Sequence, residues 1–539
     1  MPGVIHLKRL QEILSVFVRF GFTQAIETSG LGSYLGNIKR IFVPTPKIER
    51  MRIGQRLTDV FSRLGPTFIK LGQFLSTRPD LIPESIANDL RALQDRVPPV
   101  PFEKIESLLK SELGSRYQDL YEIDPVPAGS ASIAQVHQAR YGDRTVVIKV
   151  QKPGVREQVK TDLEILNLFA TSFGEIISQF RPKETMMIFE RELRRELNFL
   201  NEYRNIVRFK NFFSGDPDVL VPEVYRELTT EKVLVMDHVG GVKITNVEKI
   251  VSLGLNPREI ARRAGHLVFK QLFEFGFFHG DPHPGNLFIH SSGAITLLDF
   301  GIVGYLDDRT KDALAEILIG YLYQEPKRII YALDDLGVTE GVVAEAGLER
   351  DLGELIDRIQ HLPKSEIVLK DAVAEIIAIV RTYGLKFPQQ LFLLGRSLAL
   401  IEEIGVRLDP NFDAVGQLGP YVDRFLKRRY RAERVLKRFA AHWADLSSLL
   451  RILPSSLRRI LSRLAREEYR FSVDVRSLDS LSASIERGFN RLTLAIISSA
   501  VVLVSVLFSD KLVIRIILFG LAFVLILVAL TGMIHSRRL

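Results

Sequence analysis

The chain has no cysteine, one tryptophan and six methionines in 539 residues. The first absence excludes disulfides, cysteine-ligated zinc and iron–sulfur clusters. A basic surface spread along the chain is also missing. The formal charge is +8, but Tyr421 to Arg470 alone carries fourteen Lys/Arg against five Asp/Glu, a surplus of nine. The rest is therefore close to neutral, which argues against a nucleic-acid groove and excludes nucleic acid from the expected partners. A cleavable leader is not expected either. The opening "MPGVIHLKRLQEILSVFVRFGF" is interrupted by Gln11, Glu12 and Arg19, and reads as an amphipathic helix.

What is present begins at the far end. Leu492 to Phe508 has no charge and Leu512 to Ile534 has only Arg515, with "SDK" between them. At about 20 apolar residues per bilayer crossing, this predicts a transmembrane hairpin over 491–539. Arg487, Arg491, Arg537 and Arg538 flank it, so both ends, and the chain before them, are expected on the cytoplasmic side of a bacterial inner membrane. Residues 411–490 read as basic amphipathic helices. They suit either a solvated face or an anionic lipid surface.

Residues 1–115 read as a helical extension, and 116–410 as a β-rich lobe followed by a helical one. In the second region "VVIK" ends at Lys149, "HGDPHPGN" contains Asp281 and Asn286, and "LLDFG" contains Asp299. A lysine for phosphates, an Asp and an Asn for Mg²⁺, and a second Asp for the nucleophile's proton are the parts phosphoryl transfer needs. Protein kinases arrange them as V-A-I-K, H-R-D-x-x-x-x-N and D-F-G. The predicted fold is thus α+β, a two-lobe protein-kinase-like fold with a helical N-terminal extension and a C-terminal transmembrane helical hairpin. His279 and His283 alternate with Asp281 as a metal site would, but His279 stands where a kinase histidine packs the loop.

Three kinase features are missing. No A-P-E follows Gly301, "HGD" lacks the loop arginine, and "VPAGSASIAQVH" has one glycine, Gly129, in place of G-x-G-x-x-G. The first two favour a small-molecule kinase or an ATPase over a protein kinase. The third leaves fewer backbone amides for phosphates at Val126, Pro127, Ala128, Gly129, Ser130, Ala131 and Ser132.

"PAGSASIAQVH" together with "FIKLGQFLSTRPDLIP" resembles the UbiB family of atypical kinases (AarF/ADCK). The resemblance implies ATP and Mg²⁺ as cofactors and a role in ubiquinone or other isoprenoid-quinone biosynthesis. Its partners would be quinone-biosynthesis enzymes or isoprenoid quinone precursors. It implies that Lys149 binds phosphate, Asp281 is catalytic, and Asn286 and Asp299 hold metal. Met236, His238 and Val239 would form the adenine hinge. Lys70 and Gln73 of K-x-G-Q would fold over the site and regulate it. The family's E-x-D meets Glu196, Leu197 and Asn198 here, an Asn for an Asp. Glu196 is expected to pair with Lys149, Glu192 being a fallback, and Glu202 with Lys70. A different reading is a nucleotide-gated pseudokinase scaffold that organises lipid-modifying enzymes.

Overall fold

The computed structural model describes residues 7–34, 51–78, 81–93, 97–174, 181–339, 345–362, 368–386 and 388–429. The expected hairpin and the basic segment beyond 429 lie outside the described residues. Among those described, no helix is long and apolar enough to cross a membrane.

The small lobe is built on a hairpin that the sequence announces. Strands Ala134–Tyr141 and Arg144–Gln151 pair antiparallel around Gly142, whose φ of 56° suits the tight turn. Val233–Asp237 joins the second strand, and Leu120–Tyr121 and Gly129–Ser130 pair with the first. Alternation puts Val146, Ile148 and Val150 on one face. There they meet Ile105, Leu109 and Leu113, spaced by four on helix Phe102–Leu113. At roughly 1.5–3 kcal/mol per buried aliphatic side chain, this contact holds the sheet rigid. The opposite face, carrying Lys149, is left for the cleft.

The large lobe packs helix Pro257–Phe269 against Gln389–Leu408 and Ala414–Arg429. The first continues as a π-helical turn, Lys270–Phe275, and stops at Gly276 (φ 63°). Strand Phe277–His279 follows and pairs with Val303–Tyr305. A second small sheet orders Val219–Leu220, Ile295–Leu297, Leu287–Ile289 and Val242–Lys243. The loop carrying Asp281 therefore runs into Leu287–Ile289, whose paired strand Ile295–Leu297 leads to D-F-G.

The N-terminal helices Leu7–Arg19, Ile53–Leu64 and Pro66–Ser76 share the main core rather than resting on it. Leu10, Ile13, Leu14, Phe61 and Phe68 pack in one cluster with Val159, Leu163 and Phe189. A polar knot fixes the register. Asp162, fully buried on helix Val155–Ser172, accepts from Arg9 Nε (2.8 Å) and Thr67 Oγ1 (2.7 Å).

The first turns of the basic segment are described, and they face protein. On helix Ala414–Arg429, Tyr421 and Phe425 are buried. Arg424 pairs with Glu274 (3.1 Å), and Arg429 with Asp308 (3.1 Å) and Asp312. These cations are engaged within the chain. Within 421–429 one face of the helix thus docks on the large lobe, while Lys427 on the same helix stays exposed.

Candidate nucleotide and phosphoryl-transfer site

Lys149 lies at mid-strand on the cleft face, opposite Val136 on one side and Leu234 on the other. Its Nζ donates to both oxygens of Glu202 (2.9 and 2.8 Å) and to Asp299 Oδ1 (3.2 Å). The aromatic ring of Phe199 lies 5.5 Å away. Burial alone would depress the Lys149 pKa, but Asp299 and Glu202 outweigh it and raise the value. The ammonium therefore stays charged.

The carboxylate partners are exchanged relative to expectation. Glu202 takes Lys149, while Glu196 takes Lys70 at 2.5 Å. The cause is a helix break. Helix Pro182–Glu196 ends at Glu196, and Asn198 (φ −117°, ψ 98°) starts a new helix, Phe199–Phe212, by accepting from Leu200 N–H at 3.0 Å. The two glutamates thus sit on differently aimed helices, one at a C-terminus and one in a first turn. Glu192, the fallback, pairs with Gln389 instead. Asn198 works as an N-cap, which needs a side-chain oxygen rather than a charge. Its Nδ2 also donates to Glu231 (3.3 Å), where an Asp would place like charges together.

Lys70 reaches the cleft because the K-x-G-Q helix is packed very closely. A Cβ at Gly72 would lie 2.1 Å from Leu93 Cδ1 and 2.8 Å from Phe61. Gln73 donates to Leu93 O at 3.5 Å and secures the same contact. With Lys70 joined to Glu196, the helix stands at the cleft beside Asp299, whose carboxyl feels the Lys70 charge.

In the quoted loop, His279 is buried (2% exposed) and engaged at both nitrogens. Nε2 donates to Asp299 O (2.8 Å) and Nδ1 accepts from Asp281 N–H (3.1 Å). Burial holds its pKa below the ordinary imidazole value. His283 Nδ1 accepts from Gly285 N–H (3.1 Å). Among the described residues no cluster of three His, Cys, Asp or Glu fits a metal. Through these contacts His279 and His283 brace the loop's own backbone.

Asp299 adopts a left-handed φ of 61°, uncommon for a side chain with a Cβ. Phe300 anchors it, buried against Phe209 (5.0 Å) and His279 (5.6 Å), with Asn205 Nδ2 donating to Phe300 O (2.8 Å). Lys149 pulls the Asp299 pKa well down against the opposing effect of burial. Protein surrounds the carboxylate, yet 57% of the side chain is open to the cleft, where it can meet a cation. Asn286 is fixed nearby in sequence by its N–H to His283 O (2.8 Å) and its carbonyl to Leu298 N–H (2.8 Å).

The alanine-rich turn is a tight hairpin. Ala128 N–H donates to Val136 O and Ala131 N–H to Ala134 O, both at 2.8 Å. Two amides that a flexible glycine loop could offer to phosphate are thereby spent. Ser130 Oγ donates to Val97 O (2.8 Å), and Ser132 is buried. Val126 is exposed, and there is open space for a Cβ at Gly129. At the expected hinge Met236 is buried, His238 N–H donates to Thr145 O (2.9 Å), and Val239 is the second residue beyond the strand.

One site residue has no sequence signal. Arg396 Nη2 donates to Asp281 Oδ1 at 2.9 Å from 115 residues away. No motif spacing could connect them; only packing does.

Residues 92–333 match the ABC1 atypical kinase-like domain, and 352–413 match the UbiB helical domain. A protein named probable protein kinase UbiB from Pseudomonas aeruginosa is 31% identical over 428 residues, covering 78% of this chain and 80% of its own. A second of that name, from Aeromonas hydrophila, is 30% identical across 82% of this chain and 83% of its own. An uncharacterized protein from the hydrogenase 1 5′ region of Clostridium pasteurianum is 32% identical, covering 92% and 91%. The chain belongs to the UbiB family of ABC1 atypical kinase-like proteins.

Proposed function

We propose that this chain binds Mg-ATP and turns it over as an atypical kinase or ATPase, anchored to the membrane by its C-terminal hairpin, in support of isoprenoid-quinone biosynthesis. The observation that carries this is the three-way contact of Lys149 with Glu202 and Asp299. It pre-sets a phosphate-binding ammonium and leaves a carboxylate open to the cleft. Asp299 and Asn286 offer hard oxygen donors, which suit Mg²⁺, an ion that needs few protein ligands when phosphates complete its shell. Bound Mg²⁺ would neutralise charge developing on the phosphates. Lys149 would orient the α- and β-phosphates, and Asp281 would accept the proton of the attacking hydroxyl. The K-x-G-Q helix, tied by Lys70 to Glu196, would cover the cleft against peptide substrates.

The spent amides of Ala128 and Ala131 favour a second reading, a nucleotide-gated scaffold without turnover. Phosphate release by the full chain in anionic vesicles with Mg²⁺ separates the two. Release that Asp299→Asn abolishes supports the enzyme; tight nucleotide binding with no release supports the scaffold. Quinone content of a deletion strain tests the pathway assignment.

A further inference from the structure

Gly280 occupies the place of the arginine in H-R-D. A Cβ there would approach Ile302 Cγ2 to 2.8 Å and Leu393 to 3.4 Å, so helix Gln389–Leu408 lies where a longer side chain would emerge. From that helix Ser397 Oγ donates to His279 O (3.2 Å), and Arg396 Nη2 donates to Asp281 Oδ1 (2.9 Å). Both side chains of the Arg396–Asp281 pair are about three-quarters buried. The helix thus grips the loop at the residues before and at the catalytic position.

We propose that Arg396 is a positioning residue for phosphoryl transfer, a guanidinium supplied from the helical region in place of the one the loop lacks. This rests on the kinase-like reading above. By holding Oδ1, Arg396 selects one rotamer of Asp281 and leaves Oδ2 to receive the proton. In the step served, the attacking hydroxyl oxygen bonds to the γ-phosphorus while the bond to the β–γ bridging oxygen breaks. ADP leaves with that electron pair, and the hydroxyl proton passes to Asp281. A carboxylate free to rotate would sample geometries that cannot take the proton, and misplacement of about 1 Å can cost on the order of 100-fold. Movement of the helical region would also move the proton acceptor. Arg396 touches none of the phosphate-binding residues Lys149, Asn286 or Asp299 in the described contacts, so its effect should fall on turnover rather than on nucleotide affinity.

The test uses the full chain in anionic vesicles, with Mg-ATP as the probe and melting curves to confirm folding. Arg396→Gln should lower kcat by about 10- to 100-fold with nucleotide Kd nearly unchanged. Arg396→Lys should recover most of it, and free guanidinium ion should partly restore Arg396→Ala. In an Asp281→Asn background Arg396→Gln should cause no further fall. Unchanged kcat, a parallel loss of affinity, or failure of both rescues would overturn the proposal. A parent that binds nucleotide and releases no phosphate overturns the kinase reading and this one with it. A parent that turns over beside an equally active Arg396→Gln removes only this inference.

Discussion

Lys149 and Lys70 are both sheltered lysines paired with glutamates of successive helices, but their settings differ. Lys149 stands on a strand between two carboxylates, the buried Glu202, whose pKa burial raises, and the more open Asp299. Lys70 stands on a helix against Glu196, a pair that is neutral. The first cluster has a carboxylate facing the cleft and therefore invites a cation. The second ties two helices together, while its ammonium also reaches the Asp299 carboxyl electrostatically. On the function proposed above, similar chemistry would serve binding in one place and closure in the other.

The sharpest way to break this contrast is Lys149→Ala. It leaves Glu202, only 5% exposed, without its ammonium. Stability should fall by about 3 kcal/mol and turnover should be lost, read by denaturant unfolding and phosphate release. Lys70→Ala leaves Glu196 more open to water, so its stability loss should be clearly smaller, while nucleotide affinity or turnover changes. Equal losses in both variants would erase the distinction.

Next in size is Gly72→Ala. Its Cβ would strike Leu93 and Phe61, and overpacking of this kind costs about 1–3 kcal/mol. Because the same contact places Lys70, turnover should shift with the melting temperature. The break between the helices is probed more gently. Asn198→Ala should cost about 1 kcal/mol by removing the cap, and Asn198→Asp less than that, since it keeps the accepting oxygen.

A pH scan sharpens the charge argument. Lys149 holds the folded-state pKa of Asp299 below the ordinary carboxylate value. Ionised Asp299 therefore stabilises the fold above its unfolded pKa of about 3.9. That contribution is lost as pH falls through its lower folded value. Melting temperatures from about pH 5 to about pH 2.5 should decline less steeply in Asp299→Asn than in the parent.

Much of the site was legible because its parts are local. Lys149, Asp281, Asn286 and Asp299 follow motif spacing, and the hairpin around Gly142 follows strand alternation. The pairing of Glu196 and Glu202 was misjudged because a family motif carried over residue by residue cannot show that one helix ends at Glu196 and Asn198 caps another. Gly72 was read as part of a motif, though its steric reason became visible only with Leu93 beside it. Arg396 and the knot of Arg9, Thr67 and Asp162 had no signal at all, being joined only by tertiary packing.

That knot has a consequence for how the protein is made. Arg9 leaves the ribosome 153 residues ahead of Asp162. At roughly 5–20 residues per second, about 8 to 30 s pass before the carboxylate that completes the knot has been synthesised. During that interval the early helices have one another but not Val159, Leu163 and Phe189, so part of their apolar surface stays uncovered and the nascent extension is a natural client for a chaperone waiting at the tunnel exit.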